Sequence, residues 1–510
     1  MSAQRAITQA EASPQALQDA LQGALQRALQ GALQGALQEA PQEAPQEAQK
    51  DPSHEVQDKA RGEIRHDAPD GLPDTASHPA AATAPQRRIS LGSLLAATAR
   101  RHPDRIAVVD PADKPDWSDR PAITWTYAAA AEIVERLARG LRSWRLPPGS
   151  RIGLCLPGSA ESALAILAVE AAGHVACLLP VSWDEERLLA AAQGVALSAV
   201  LTQARVGSAA PAQRLCNVAA RYFGLRYLAA FGPDVPDGVI NLDRFVLDGP
   251  AGEPAEPAPA SAGIVSFVGG DPERPVYRSG ESVVAAAAAH LVAMRVAPGE
   301  RILSLIGPHD LRGLATGLAA ALVAGASLET MPLFDGAAFA AALRRPGPTH
   351  LVAPAFLEKN LAGRDLPADL RSVALIHRAP TRLPGRSRAA GRPQSLRLDT
   401  VIDTVVFDET ALLSGRRGTA GDISLVLGKP ERLSLPASLM ALRHEADGRL
   451  AFRGQACAAT TLQRGSRPAA PDGSWQETFY APVLFAGLAT AIEAVERSEP
   501  AVLPEIFAPA

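Results

Sequence analysis

Between Ile106 and Thr202 short apolar runs alternate with longer segments of helical spacing, and few folds accept that alternation. Ile106–Asp110, Arg151–Leu156, Val175–Pro180 and Ala199–Thr202 are short and mostly apolar, as buried strands are. Between them lie Ala128–Trp144, with Ile133, Leu137, Gly140 and Leu141 at helical spacing, then Ser162–Ala172 and Glu185–Gln193. Asp184 is placed to cap the last of these. Leu91–His102 reads as an amphipathic helix and Ile123–Tyr127 as a further strand. Strands that return after helices pair in parallel, so the expected class is α/β, with parallel sheets flanked by helices.

Composition narrows the function classes. The net charge of -4 gives no global basic field for nucleic acid, and aromatics at 4% argue against a base-stacking surface. Cys155, Cys177, Cys216 and Cys457 form no CxxC pair and read as buried reduced thiols. No stretch is long and apolar enough to span a bilayer, and the N-terminus lacks the apolar core of a signal peptide. The expectation is a cytoplasmic protein.

Three regions follow from composition. Residues 1–88 are of low complexity, with ALQ units repeating every four residues from Ala16 and then APQE twice. A helix drifts by ~40° over each four-residue repeat, so the leucines would spiral instead of forming a seam. This extension is expected to be disordered. Residues 89–480 are the folded domain, and residues 481–510 a closing helix, Leu484–Arg497, with a tail.

The blocks from His102 through Thr202, in their order and spacing, resemble the opening of the large domain of AMP-forming acyl-CoA synthetases, members of the adenylate-forming superfamily. The resemblance runs from about residue 90 to about residue 475 and includes a small β-rich part around Asp447–Gly454, similar to the family's DGxLxxRG hairpin. It implies ATP and Mg²⁺ as cofactors, a carboxylic or fatty acid as substrate, and CoA or a carrier-protein phosphopantetheine as acceptor.

The same resemblance marks the candidate site. Gly269, Gly270, Arg274 and Pro275 fall in the phosphate-loop block, where glycines would let backbone N–H groups close around phosphate oxygens. The family's lysine position falls on Val276, and Asp271 and Glu273 bring negative charge. One like-charge contact at ~4 Å and an effective dielectric of ~20 costs about 4 kcal/mol. Arg274 or Arg278 could compensate from a shifted position. His309, Gly313 and Pro354 fall at the family's acyl pocket. Ala379 and Pro380 remain from its adenine turn, while His377 and Arg378 replace the glycines and should obstruct a flat base. Glu409 matches the glutamate that helps hold Mg²⁺ and phosphate, a hard cation preferring carboxylate oxygen. Six arginines from Arg378 to Arg397 could hold an anionic partner or simply be solvated.

The family's ribose aspartate is not found after Asp472-Gly473-Ser474-Trp475. The 35 residues beyond Trp475 are too few for the family's small C-terminal domain with its catalytic lysine, which is therefore expected to be absent. Three readings stay open at this point. One is a degenerate homologue with weak or no adenylation that keeps an acyl-binding pocket. Another is an active ligase with altered nucleotide contacts or a separate C-terminal domain. The last is a scaffold in a biosynthetic complex.

Overall fold

The computed structural model of the chain describes residues 89–247, 262–362, 364–378, 396, 400–417, 439–445, 449–457, 459–462, 474–478, 480–485 and 488–494. The ALQ repeats, Ala379 and Pro380, the arginines from 382 to 397, and Asp447-Gly448 lie outside the described residues.

Two eight-stranded sheets carry the fold. Edge to edge, the first runs Ala411–Arg416, Val401–Phe407, Leu370–Arg378, Thr349–Pro354, Arg301–Ser304, Ser327–Thr330, Ile106–Val109 and Thr124–Thr126. All neighbours are parallel except the pair at each edge. The second runs Thr460–Thr461, Pro275–Ser279, Gly263–Phe267, Val175–Leu178, Arg151–Cys155, Ala199–Gln203, Tyr227–Phe231 and Ile240–Asn241. It is parallel from Gly263–Phe267 onward and antiparallel before it. The α/β reading is therefore the observed architecture. A three-stranded sheet of Ala441–His444, Leu450–Arg453 and Gln476–Glu477 is the small β-rich part.

One core joins strands of both sheets to the helices Tyr127–Ser143, Ala160–Ala171 and Gly280–Met294 and to the helical run from Leu311 to Ala324. Ala160–Ala171 is buried on every side from Ala160 to Glu170, as a helix packed between layers must be. Its two acids are both answered. Glu170 Oε2 accepts from Gly92 N at 2.8 Å, at the start of helix Leu91–Arg101, and burial pushes its carboxyl up to about 7. Glu161 belongs to a buried ionic cluster. Lys114 Nζ, wholly buried, donates to Asp110 Oδ2 at 2.6 Å and to Glu161 Oε1 at 2.5 Å. Arg120 Nε adds a contact to Glu161 Oε1 at 2.8 Å. Burial pushes the Glu161 carboxyl up, but Lys114 and Arg120 outweigh it and hold it at about 2. Burial and the Glu161 charge leave Asp110 raised.

One expectation needs correction. Tyr480–Phe485 and Leu488–Ala494 are antiparallel strands, so no closing helix spans Leu484–Arg497. Tyr, Val and Phe in the first, Thr and Ile in the second, favour extended backbone, and two residues separate the strands as in a hairpin. The pair also crosses the expected boundary at residue 480. The helical run that begins at Leu311 includes a π-helical turn, Leu314–Leu318. The cysteines are free; Cys155, Cys177 and Cys457 are buried and Cys216 is half-buried. Among the described residues, no helix is long and apolar enough to cross a membrane.

Candidate functional site

Three chain segments meet at Glu409. Ser266 lies near the end of strand Gly263–Phe267 and donates to Glu409 Oε2 at 2.6 Å. Asp310 caps the helical run that starts at Leu311, and Leu311 N donates to the same oxygen at 3.0 Å. Glu409 itself sits in the turn after strand Val401–Phe407, closed by Thr410 N to Phe407 O at 2.9 Å, with Asp408 at φ 49°. Its side chain is directed inward, and the residue is only 5% exposed.

Two arginines complete the cluster. Arg278, in the second strand of the Gly263–Phe267/Pro275–Ser279 pair, is 1% exposed and lies in the field of Glu409. Its Nη1 reaches Ser282 Oγ at 3.5 Å; its Nε and Nη2 have no hydrogen-bond partner. Arg312 Nε donates to Asp310 Oδ2 at 2.8 Å, and Asp310 Oδ1 accepts from Arg312 N at 3.0 Å. Burial and then the Asp310 charge push the Glu409 carboxyl up to about 7, against Arg278, Ser266 and Leu311 N. Burial lowers the Arg278 guanidinium, with Glu409 opposing.

The phosphate-loop block is a closed turn. Val268–Gly270 form one 3₁₀ turn, with Gly269 at φ 61° and Gly270 at φ 74°, a region that glycine enters freely. Val268 N donates to Arg274 O at 3.0 Å, Asp271 N to Val268 O at 3.0 Å and Arg274 N to Asp271 O at 3.1 Å. Glu273 N donates to Asp271 Oδ1 at 2.9 Å. Seven residues from Val268 to Arg274, one of them Pro272, carry six N–H groups, and these four are committed inside the turn. Arg274 and Glu273 are exposed. Pro275 is buried at the start of the return strand, and Val276 packs with Val268 and Ala459.

The other candidates divide. Gly313 packs so closely on the chain that a Cβ there would lie 1.9 Å from the Gly307 carbonyl oxygen. His309 is half-buried, its Nε2 3.8 Å from Asp310 Oδ2. Pro354 ends strand Thr349–Pro354 and is half-buried. Glu409, His309 and Gly313 are therefore gathered with Arg278 around Asp310–Gly313, while Gly269, Gly270 and Arg274 form the turn beyond Ser266. His377 is a strand residue whose Nε2 contacts Asp403 Oδ1 at 3.0 Å. Asp403 is also held by Arg417, with Nε to Oδ2 at 2.8 Å and Nη2 to Oδ1 at 2.7 Å. The ring is thus engaged by a buried carboxylate. Arg378 contributes its backbone to the same strand. Sequence reading missed Asp310 and Ser266; an Asp directly before a helical run, in reach of its first N–H groups, was the available signal for the former.

Of the two Glu409 carboxylate oxygens, the hydrogen bonds above engage only Oε2. Glu409 Oε2 already accepts two hydrogen bonds, and Asp310 is taken up by Arg312 and the helix start. No group of three or more His, Cys, Asp or Glu among the described residues could hold a metal ion.

Comparison with known proteins agrees with this fold. Residues 95–233 match the family described as AMP-binding enzyme. A salicyl-AMP ligase / salicyl-S-ArCP synthetase of Mycobacterium tuberculosis is 28% identical over 266 residues, 51% of this chain and 46% of that protein. Novobiocin biosynthesis protein H of Streptomyces niveus is 30% identical over 318 residues, 58% of this chain and 46% of that protein. The matches thus span less than half the length of these relatives. Among solved structures, Mycobacterium smegmatis MbtA in its apo form superposes with a TM-score of 0.60 at 21% identity, covering 81% of this chain and 76% of that one. A benzoate CoA ligase from Burkholderia xenovorans LB400 gives 0.60 at 18% identity, covering 81% and 80%. The block order, the two sheets and these matches together support a resemblance to the adenylate-forming, acyl-CoA-synthetase-like superfamily.

Proposed function

We propose that this chain is a superfamily member with weak or no adenylation activity that keeps a carboxylic-acid pocket beside His309, Gly313 and Pro354. The observation that supports it most is the closed turn from Val268 to Arg274. A phosphate cradle works by presenting free N–H donors and positive charge. Here four donors are satisfied internally, Asp271 and Glu273 are acids, and the lysine position is the apolar Val276. Loss of a single preorganised donor can cost ~2.7–4 kcal/mol of transition-state stabilisation. Several such losses together leave little of the reaction in which a carboxylate displaces pyrophosphate from ATP. The named relatives include a salicyl-AMP ligase and a benzoate CoA ligase, so aryl acids join fatty acids as ligands to try first. A carrier-protein phosphopantetheine or CoA would be the acceptor in any residual transfer.

The test is calorimetric titration of the full chain with ATP and Mg²⁺, beside a panel of aryl and fatty acids. Saturable binding of an acid with no heat from millimolar ATP is expected. Micromolar ATP binding with pyrophosphate release on addition of an acid would overturn the reading in favour of an active ligase. Neither kind of binding, with a stable complex recovered from cells, would overturn it in favour of a scaffold.

A further inference from the structure

Glu329 stands near the carboxyl end of strand Ser327–Thr330, opposite Val109 in the register, and is wholly buried. Its Oε2 accepts from two guanidiniums, Arg301 Nη1 and Arg345 Nη1, both at 2.9 Å. Its Oε1 has no hydrogen-bond partner among the described residues. Arg301 is otherwise committed, with Nε and Nη2 on Thr349 Oγ1 and Nη2 also on Arg345 O. Arg344 and Arg345 are exposed, and the Arg344 side chain pairs with no group among the described residues.

Glu329, Arg344 and Arg345 line a cavity of about 290 Å³ between helix Gly336–Leu343 and the residues that follow strand Ile106–Val109. Pro111, Ala112, Met331 and Ala338 give it apolar walls, and no residue of the Glu409 site lines it. That is about ten times the ~30 Å³ of a liquid water, at the lower edge of ligand pockets, so the space suits a small organic molecule. Its charge points to an anion. One acid faces two guanidiniums on the wall and a third, Arg301, behind it. Burial raises the Glu329 carboxyl, with Arg345 and Arg301 opposing, and a proton there would only enlarge the positive excess. A guanidinium is suited to a carboxylate. A hydroxyl both donates and accepts, so it can pair with Oε1 whether or not Glu329 is ionised.

We infer that this cavity binds a small hydroxy-carboxylate, with its carboxylate on Arg344 and Arg345, its short carbon chain on Met331 and Ala338, and its hydroxyl at Glu329 Oε1. The inference shares no residue with the proposed function, and either can fail alone.

Met331 is the only one of the four methionines that lines the cavity, so its methyl group reports occupancy locally. The full chain labelled with [methyl-¹³C]methionine, its Met331 signal assigned through Met331→Leu, is titrated with 3-hydroxybutyrate, butyrate and inorganic phosphate. 3-Hydroxybutyrate is expected to move the Met331 signal saturably, and butyrate to bind about tenfold more weakly. R344M should weaken the hydroxy acid by about tenfold or more, and R344K should recover part of the loss. Arg344 is exposed, so neither variant disturbs the core. Equal affinity for the two acids would overturn the contact with Glu329. A shift that R344M leaves unchanged would overturn the seat on the arginines. Phosphate acting as strongly as the hydroxy acid would overturn the choice of an organic ligand. A signal unmoved by high-millimolar acid would overturn the site and leave the cavity to water.

Discussion

Replacing Lys114 by Met tests whether the buried cluster of Asp110, Lys114 and Glu161 is held by charge. The two contacts from Nζ are 2.6 and 2.5 Å long, and at an effective dielectric of ~20 each is worth ~6 kcal/mol of attraction. That attraction is not the expected loss. Glu161 keeps Arg120, while Asp110 keeps only the N–H groups of Ile123 and Ala160 and no cation, and it escapes by taking up a proton. Holding an aspartate protonated at pH 7, from an ordinary value near ~3.9, costs about 4 kcal/mol, an upper bound on the loss because the wild-type carboxyl is already raised. The same cost falls to about 1.5 kcal/mol at pH 5. The sign follows from linkage. In the variant Asp110 has a raised folded-state pKa, so its stability is intact below the unfolded value and is lost as pH rises. Urea unfolding at pH 5, 6 and 7 reads this directly. Lys114→Met should be far more damaging at pH 7 than at pH 5, and adding Asp110→Asn should flatten the dependence. A loss under ~1 kcal/mol at pH 7, or one unchanged at pH 5, would refute the electrostatic account and leave a packing role for the lysine stem.

Three further outcomes are expected. Gly313→Ala should destabilise by about 3 kcal/mol or more, because its Cβ would meet the Gly307 carbonyl oxygen at 1.9 Å and backbone cannot swing aside as a side chain can; denaturant unfolding would show it. Wild-type stability should carry a loss of ~3 kcal/mol from Glu170 as pH rises from about 4.5 through about 7, because burial raises that carboxyl and the folded state binds its proton more tightly; Glu170→Gln, which still offers an acceptor to Gly92 N, should remove the slope in pH-dependent unfolding. Gly140→Ala would bring a Cβ within 2.0 Å of Phe245 Cε1, costing about 1–3 kcal/mol, and Phe245→Leu in the same chain should recover part of the loss in a double-mutant cycle.

The layered fold was legible because its signals are local. Asp184 does cap Glu185–Gly194 through Arg187 N, at 2.9 Å, and the strand starts at Ile106, Arg151, Val175 and Ala199 are those expected from apolar runs alone. The end of the chain was misread where local signals conflict: Ala and Glu in Leu488–Ala494 suit a helix, and pairing with Tyr480–Phe485 decides for a strand. The site was partly legible for a different reason. Gly269 and Gly270 were read as a phosphate-loop remnant, and their positive φ needs glycine whether the loop holds phosphate or only turns the chain. Residue identity cannot separate those two uses; titration with ATP can.

Charge is the property that sequence reading handled least well here, and the reason is distance along the chain. Ser266 meets Glu409 across 143 residues, Leu311 N meets it across 98, and Lys114 meets Glu161 across 47. Arg278 looked like a spare cation near a damaged loop, and Glu409 like a surviving metal ligand, because each was weighed against its sequence neighbours. Folding buries both, and Ser266 and Leu311 N close on Glu409. A carboxylate with an open coordination sphere favours a hard cation, and at Glu409 one oxygen already receives Ser266 Oγ and Leu311 N. The magnesium dependence of stability at Glu409 is therefore the observation that separates a retained motif from a retained function.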